Sequence, residues 1–123
     1  MTINEVLNEV ESTMPGNKVD EEQKIKWLDR LDKLIFNDLL QYKENQIEEF
    51  DGYTSETDRD TKLLVVSPYD ELYVYYIKAQ INLVQQEVKY YNNNIAVYED
   101  RYRNYRDYIN RSYKSKGINF IKV

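Results

Sequence analysis

Tyrosine and carboxylate side chains account for most of the groups in this 123-residue chain that could take part in chemistry. The sequence has 13 tyrosines and 22 acidic residues, but no histidine and no cysteine. Imidazole acid–base catalysis, thiol chemistry and Cys/His zinc sites are therefore excluded. The three glycines lie far apart, so no glycine-rich phosphate-binding loop is present. We expect a protein that is not an enzyme and needs no cofactor.

The acidic stretch of residues 44–62 comes closest to a metal-binding pattern. Asp58 and Asp60 flank Arg59, but the glycine and the distal glutamate of a calcium loop are missing. The stretch has seven acidic residues and no helical periodicity, so we interpret it as a mobile loop without a metal. Ile47, Phe50 and the apolar run at 63–66 are expected to pair as a short β-hairpin around residues 46–66.

Arginines alternate with tyrosines near the end of the chain, where residues 101–123 hold seven basic side chains and one acid, Asp107. Basic and aromatic residues together can bind nucleic acid through phosphate contacts and base stacking. The net charge of −5 and the pI of about 4.8 favour Arg–Tyr stacking at a protein interface instead. Nucleic-acid binding by a basic C-terminal helix is kept as an alternative.

Charge is distributed unevenly between the two parts of the chain. Residues 1–66 contain 16 acidic and 8 basic residues, and residues 67–123 contain 6 acidic and 9 basic residues. The first part therefore carries a net charge of −8 and the second a net charge of +3. Such asymmetry indicates a basic end that meets an acidic surface.

Two amphipathic helices are expected in the first third of the chain. Residues 2–14 begin with Thr2 and Glu5 at capping-box spacing, and the helix is expected to end before Gly16. Residues 20–43 begin with Asp20 as the N-cap. The apolar stripe of this second helix, which we expect to be buried, consists of Ile25, Leu28, Leu31, Ile35 and Leu39.

A third helical region is expected from Ser67, as the N-cap, and Pro68 to about residue 114. Its apolar positions recur at alternating steps of four and three, as in a coiled coil. This seam, expected to be buried within or between subunits, consists of Ile77, Ile81, Val84, Val88, Tyr91, Ile95, Tyr98, Tyr102, Tyr105 and Ile109. Because the phase continues across Asn92, Asn93 and Asn94, we favour one long helix, straight or kinked there. A helix–turn–helix broken at these asparagines is the alternative.

Gly117 is expected to end the last helix, and residues 117–123 then alternate like an extended tail. We interpret the region as a docking element, and the alternative is that it folds back onto its own core. The candidate partner-binding residues are Arg111, Lys114, Lys116, Ile118, Phe120 and Val123. The predicted fold is all-α: a single domain over residues 1–123, a small helical bundle with one long C-terminal helix.

The sequence resembles small head–tail connector (adaptor) proteins of long-tailed phages of low-GC Gram-positive bacteria. The resemblance lies in residues 20–28, 68–76 and 90–93, and in Tyr98 and Tyr102, followed by Tyr105. It implies a homo-oligomeric ring in the virion neck, assembled in the bacterial host cytoplasm. The ring would contact the portal protein and the next neck or tail-completion protein. DNA would pass through it only as cargo, and no membrane or active site would be involved.

In such proteins a C-terminal segment anchors to the portal, which here implies residues 118–123. A second hypothesis, independent of the resemblance, is a cytoplasmic coiled-coil scaffold or regulator that dimerises through the seam at residues 77–109. Nucleic-acid binding by the basic C-terminal helix is the third.

Overall fold

The computed structural model describes residues 1–117, which form four α-helices. These are α1 (Ile3–Thr13), α2 (Glu21–Asp38), α3 (Leu72–Val84) and α4 (Val88–Ser112). Short 3-10 turns cover Leu40–Tyr42 and Tyr69–Glu71. The predicted helical class and the long C-terminal helix are confirmed. Within residues 1–117 the only β-type pairing is two isolated bridges, Thr2 with Lys62 and Lys43 with Ser115.

The starts of α1 and α2 follow the predicted capping residues. The Glu5 amide donates to Thr2 Oγ1 at 3.1 Å, and the Thr2 amide donates to Glu5 Oε1 at 3.0 Å, which completes the capping box. At the start of α2 the Gln23 amide donates to Asp20 Oδ1 at 2.8 Å. α2 ends at Asp38, five residues earlier than predicted, and the 3-10 turn Leu40–Tyr42 follows.

The third helical region is divided into α3 and α4, so the prediction of one long helix is wrong. The break lies at Gln86, whose φ of 60° is left-handed. The Glu87 amide donates to the Asn82 carbonyl at 2.8 Å and the Gln86 amide to the Leu83 carbonyl at 3.2 Å. These two bonds form a Schellman motif, which ends a helix. The alternative break at Asn92, Asn93 and Asn94 is also wrong, since all three lie inside α4.

α3 also begins later than predicted. Its first residue is Leu72, and the 3-10 turn Tyr69–Glu71 leads into it. The cap position of this turn is Pro68 and that of α3 is Glu71, and neither makes a side-chain cap hydrogen bond, so Ser67 is not the N-cap of the helix.

The core forms around α3, which contacts α1, α2 and α4. Leu72, Tyr73, Val74, Ile77 and Ile81 are buried, and they face more than one neighbouring helix. The predicted stripe of α2 is buried in full and packs in the same cluster. No helix within residues 1–117 combines the length and the hydrophobicity needed to cross a membrane.

Residues 46–66 lie entirely in the described part of the chain and contain no strand, so the predicted hairpin is not formed. Its apolar residues pack onto the helices instead of onto each other: Leu63 and Val65 are buried, and Phe50 lies against Phe36. The end of the loop caps α1, because the Ile3 amide donates to the Thr61 carbonyl at 3.0 Å. The mobility expected for residues 44–62 stays a prediction.

Candidate protein interface

The predicted seam at residues 77–109 is used mostly to pair α3 with α4. Ile77, Ile81, Tyr105 and Ile109 are buried in the chain itself. The middle of the seam is half-buried, and these residues are Tyr91, Ile95, Tyr98 and Tyr102. Val84 and Val88 are exposed in the single chain, so for these two residues only one form of the prediction remains, which is burial between subunits. Burial between subunits stays a prediction for them.

Tyrosine rings contribute to the contact between α4 and the preceding segment, which consists of the turn Tyr69–Glu71 and α3. Tyr76 and Tyr98 have ring centroids 5.2 Å apart, and Tyr69 stacks on Tyr108 at 4.9 Å. Tyr69 also contacts Tyr105 at 6.0 Å. Burial raises the pKa of Tyr98 and of Tyr105 above the ordinary tyrosine value. Tyr98, Tyr105 and Tyr108 of α4 thus pack against Tyr69 and Tyr76 of the preceding segment.

A polar contact secures the other end of this hairpin. Asn94 donates from Nδ2 to Asn82 Oδ1 at 2.7 Å, and Asn82 donates from Nδ2 to Glu87 Oε1 at 3.1 Å. Asn82 is only 2% exposed, so these bonds satisfy an amide that would be costly to bury alone. One of the three asparagines expected to form a turn therefore joins α4 to α3.

The buried carboxylate of Asp32 is the centre of a network that sequence analysis missed. Asp32 Oδ1 accepts from the Tyr73 hydroxyl at 2.6 Å, and Oδ2 accepts from the Tyr53 hydroxyl at 2.5 Å and from the Leu64 amide at 3.1 Å. The Tyr73 hydroxyl in turn accepts from the Val65 amide at 2.8 Å. The network therefore fastens the loop and the segment before α3 to α2 and α3.

Two opposing effects act on the Asp32 carboxyl. Burial raises its pKa above the ordinary aspartate value, and the hydrogen bonds from Tyr53, Tyr73 and Leu64 act in the opposite direction. Burial and the neighbouring Asp32 also raise the pKa of Tyr73. Asp32 is completely buried, so this group holds the fold together and is not open to a substrate. Its sequence signal was a charged residue between Leu28 and Ile35 on the apolar face of α2.

An exposed apolar surface lies at the turn between α3 and α4. Leu83, Val84 and Val88 are 49%, 58% and 66% exposed, and we call these three residues the apolar corner. Val84 borders an open cleft of about 450 Å³ against the start of α2. The remaining residues that line this cleft are Lys18, Val19, Asp20, Gln23 and Trp27.

A basic surface lies at the opposite end of α4. Arg111 is exposed, with its guanidinium 5.7 Å from the centre of the Tyr108 ring, and Lys114 is exposed beyond the helix. Lys116 is partly buried there. We call Arg111, Lys114 and Lys116 the basic end. The other candidate partner-binding residues, Ile118, Phe120 and Val123, lie outside the described residues, as does the predicted extended form of the tail.

The arginines in the middle of α4 have acidic neighbours. Arg101 lies 3.0 Å from Asp100 and 3.8 Å from Glu71, and Arg106 lies 3.8 Å from Asp107. These contacts reduce the positive charge that α4 offers to a phosphate backbone. Among residues 1–117, no three acidic side chains come together in a way that could hold a metal ion.

The apolar corner and the basic end are far apart because α4 separates them. α4 has 25 residues, and at 1.5 Å per residue it is about 38 Å long. One chain therefore carries two chemically different surfaces at the two ends of one rigid element.

The fold and these surfaces define a small all-α protein with a tyrosine-packed helical hairpin. Comparison with known proteins adds no relative: no family model, no curated protein and no solved structure matches the chain.

Proposed function

We propose that this protein is a structural component of a phage virion, a head–tail connector that forms a ring between the portal and the tail. The observation that carries the proposal is the pair of unlike surfaces, the apolar corner and the basic end, at opposite ends of α4. Two unlike surfaces on one chain favour head-to-tail contacts, and such contacts give a ring when the rotation between copies closes. An isologous dimer would use one surface twice.

The proposed partners are further copies of the chain, the portal protein, and the next neck or tail-completion protein. The resemblance of residues 20–28 and 68–76 to connector proteins supports this assignment. DNA passes through the ring as cargo and is not recognised by sequence. Neither catalysis, nor a cofactor, nor a membrane is part of the proposal, and the protein acts in the virion neck after assembly in the host cytoplasm.

The two alternative functions have less support. A coiled-coil dimer through residues 77–109 would need side chains such as Tyr98 and Tyr105, which already pack inside the chain. Specific nucleic-acid binding would need free cations along α4, whereas Arg101 and Arg106 lie next to carboxylates.

Co-expression with a portal protein tests the proposed function. The gene neighbourhood supplies that portal: a connector gene is expected between portal and capsid genes on one side and tail genes on the other. The complex would then be examined by native mass spectrometry and electron microscopy. A ring of this protein seated on the portal, with a copy number set by the portal's rotational symmetry, would support the proposal. A two-fold dimer that does not bind the portal would contradict it.

A further inference from the structure

We propose that Asp51 and Gly52 form a site of spontaneous covalent modification, at which Asp51 is converted to isoaspartate through a cyclic imide. The modification releases the neighbouring Tyr53 from α2. Asp51 is the only aspartate or asparagine in the sequence that directly precedes a glycine. The site lies in the loop at residues 44–62 and is independent of the connector proposal.

The reaction needs only the groups of these two residues and water. The Gly52 amide nitrogen attacks Asp51 Cγ, so a nitrogen–carbon bond forms, the amide proton passes to the solvent and a carboxyl oxygen leaves as water. Water then opens the cyclic imide. Attack at Cγ restores aspartate, whereas attack at the main-chain carbonyl carbon of Asp51 leaves isoaspartate, in which the main chain runs through Cβ and Cγ. No atom is oxidised or reduced, so no further reactant is required.

Both reacting groups are free of other partners in the fold. Asp51 is exposed, and within residues 1–117 its carboxyl group makes no hydrogen bond or ion pair. The Gly52 amide likewise donates to no acceptor in that range. Glycine has no Cβ to shield its nitrogen from the approaching carboxyl group, and Gly52 already has a left-handed φ of 91°. The fold therefore leaves the attacking nitrogen and the attacked carbon open to each other.

Asp60 is an exposed aspartate of the same loop at which the reaction is hindered. The amide that follows it, that of Thr61, donates to the Asp58 carbonyl at 3.1 Å, so this amide is already bonded. The branched Cβ of Thr61 also crowds the nitrogen that would have to attack. Modification should therefore occur at Asp51 and not at Asp60, although both side chains are exposed.

The chain is held to α2 on both sides of the reacting bond. Before it, the Phe50 ring lies against Phe36, with ring centroids 6.4 Å apart. After it, the Tyr53 amide donates to Asp29 Oδ1 at 2.8 Å and the Tyr53 hydroxyl donates to Asp32. Isoaspartate lengthens the main chain between these two attachments by one carbon–carbon bond, about 1.5 Å. A hydrogen bond tolerates a shift of only a few tenths of an ångström, so the two attachments cannot both keep their geometry.

The hydrogen bond from Tyr53 to Asp29 is the contact that should break. Gly52 lies tight against α2, where an added Cβ would be 2.1 Å from Asp29 Oδ1 and 2.6 Å from Lys33 Cε. The longer chain cannot be accommodated on that side, so Gly52 and the Tyr53 amide must move away from Asp29. Isomerisation of Asp51 therefore acts as a slow release of the loop from α2.

Ageing of the purified full chain at neutral pH and physiological temperature tests the proposal. A glutamate-specific protease gives the peptides 50–56 and 57–71, which separate Asp51 from Asp60. Electron-transfer fragmentation distinguishes isoaspartate from aspartate at equal mass, and the cyclic imide is recognised by the loss of one water. A sample unfolded in guanidinium and aged in parallel verifies that the assay detects the modification.

Asp51→Glu is the matched control, because the longer side chain would have to close a larger and less favourable ring. Asp51 is exposed, so the variant is compatible with folding, which circular dichroism would verify. We expect isoaspartate to accumulate at Asp51 of the folded wild type, with none above background at Asp60 or in the variant. In amide exchange followed by NMR, the aged wild type should contain a fast-exchanging population at Tyr53 in proportion to its isoaspartate, and the aged variant should not.

Three results would overturn the proposal. Absence of isoaspartate at Asp51 in the folded protein would show that the fold protects the site. Equal modification of Asp51 and Asp60 would show that the free amide of Gly52 does not control the reaction. Isoaspartate at Asp51 with unchanged slow exchange at Tyr53 would show that the modification does not release the loop.

Discussion

The hydroxyl of Tyr73 gives the sharpest test of how the polar core is built. Tyr73→Phe keeps the ring and removes one oxygen, which donates to Asp32 Oδ1 and accepts from the Val65 amide. Tyr53→Phe removes only a donor to Asp32 Oδ2, where the Leu64 amide still donates. Comparison of the two variants separates the loss of one hydrogen bond from the loss of two.

The magnitude follows from the groups that lose a partner. Loss of a hydrogen bond to the buried carboxylate should cost about 1.5–3 kcal/mol in either variant at neutral pH. Tyr73→Phe also leaves the buried Val65 amide unpaired, which adds about 1–3 kcal/mol. We therefore expect Tyr73→Phe to lower the free energy of unfolding by about 2.5–6 kcal/mol, and Tyr53→Phe by about half as much.

The pH dependence identifies the carboxylate as the partner. Burial raises the pKa of Asp32 in the folded protein, so folding is favoured when this carboxyl is protonated. That contribution to the free energy of unfolding is fully present below the pKa that Asp32 has in the unfolded chain. It is lost as the pH rises through the pKa that Asp32 has in the folded protein. Removal of a donor raises the pKa of Asp32 in the folded protein further, so the cost of either substitution should grow as the pH rises above the ordinary aspartate pKa of about 4.

Urea unfolding followed by circular dichroism at several pH values would measure these differences. Tyr76→Phe is the control, because the Tyr76 hydroxyl bonds to no other residue within the described range, and its stability should change little. Equal, pH-independent costs for Tyr73→Phe and Tyr53→Phe would refute the proposed network.

Three further predictions concern the backbone. Gln86→Gly should raise the free energy of unfolding by about 0.5–1 kcal/mol, because Gln86 has a left-handed φ that glycine adopts more easily. In a continuous helix the same substitution would lower it by about 1 kcal/mol. A rise in melting temperature would therefore support the turn at Gln86, and a fall would contradict it. Gly52→Ala should lower the free energy of unfolding, measured in urea, by about 1–3 kcal/mol, since a Cβ there would lie 2.1 Å from Asp29 Oδ1. Gly16→Ala is the control, because Gly16 has a similar φ but open space around it, and this substitution should cost less. Equal costs would argue against the close approach of Gly52 to Asp29. The backbone amide of Tyr53 should exchange its hydrogen more slowly than the amides of residues 47–49, because it donates to Asp29 Oδ1 at 2.8 Å. Uniform exchange rates across the loop would show that this hydrogen bond is not formed.

The elements that sequence analysis predicted correctly depend on local interactions. The capping box of Thr2 and Glu5 and the cap at Asp20 involve residues three apart. The stripe of α2 follows from helical spacing alone. Such features need no knowledge of the rest of the chain, which is why the helical class and the first two helices could be predicted.

The features that were missed depend on contacts between distant residues or on an unusual backbone. The turn at Gln86 has no glycine, and the step from Val84 to Val88 keeps the coiled-coil spacing across it. The periodicity of the seam therefore gave no sign of the break. The asparagines at 92–94 suggested a break at the wrong place, because Asn94 pairs with Asn82 from the preceding helix.

The predicted hairpin around 46–66 failed for a related reason. Ile47, Phe50 and the apolar run at 63–66 suggested two short strands. Packing against helices covers Phe50 and Val65 without a sheet. The Asp32 network then satisfies the backbone amides of Leu64 and Val65, which a strand partner would otherwise satisfy.

The tyrosine content of the chain correctly suggests extensive aromatic contacts, but it does not say where a partner binds. Within α4, the rings of Tyr98, Tyr105 and Tyr108 all have neighbours in the same chain. Tyr90 differs, since it is 60% exposed and lies two residues after Val88 of the apolar corner. Tyr90 is thus an exposed aromatic side chain of α4 that lies close in sequence to the apolar corner. The position of the helical break determines which tyrosines pack against the preceding segment and which stay exposed.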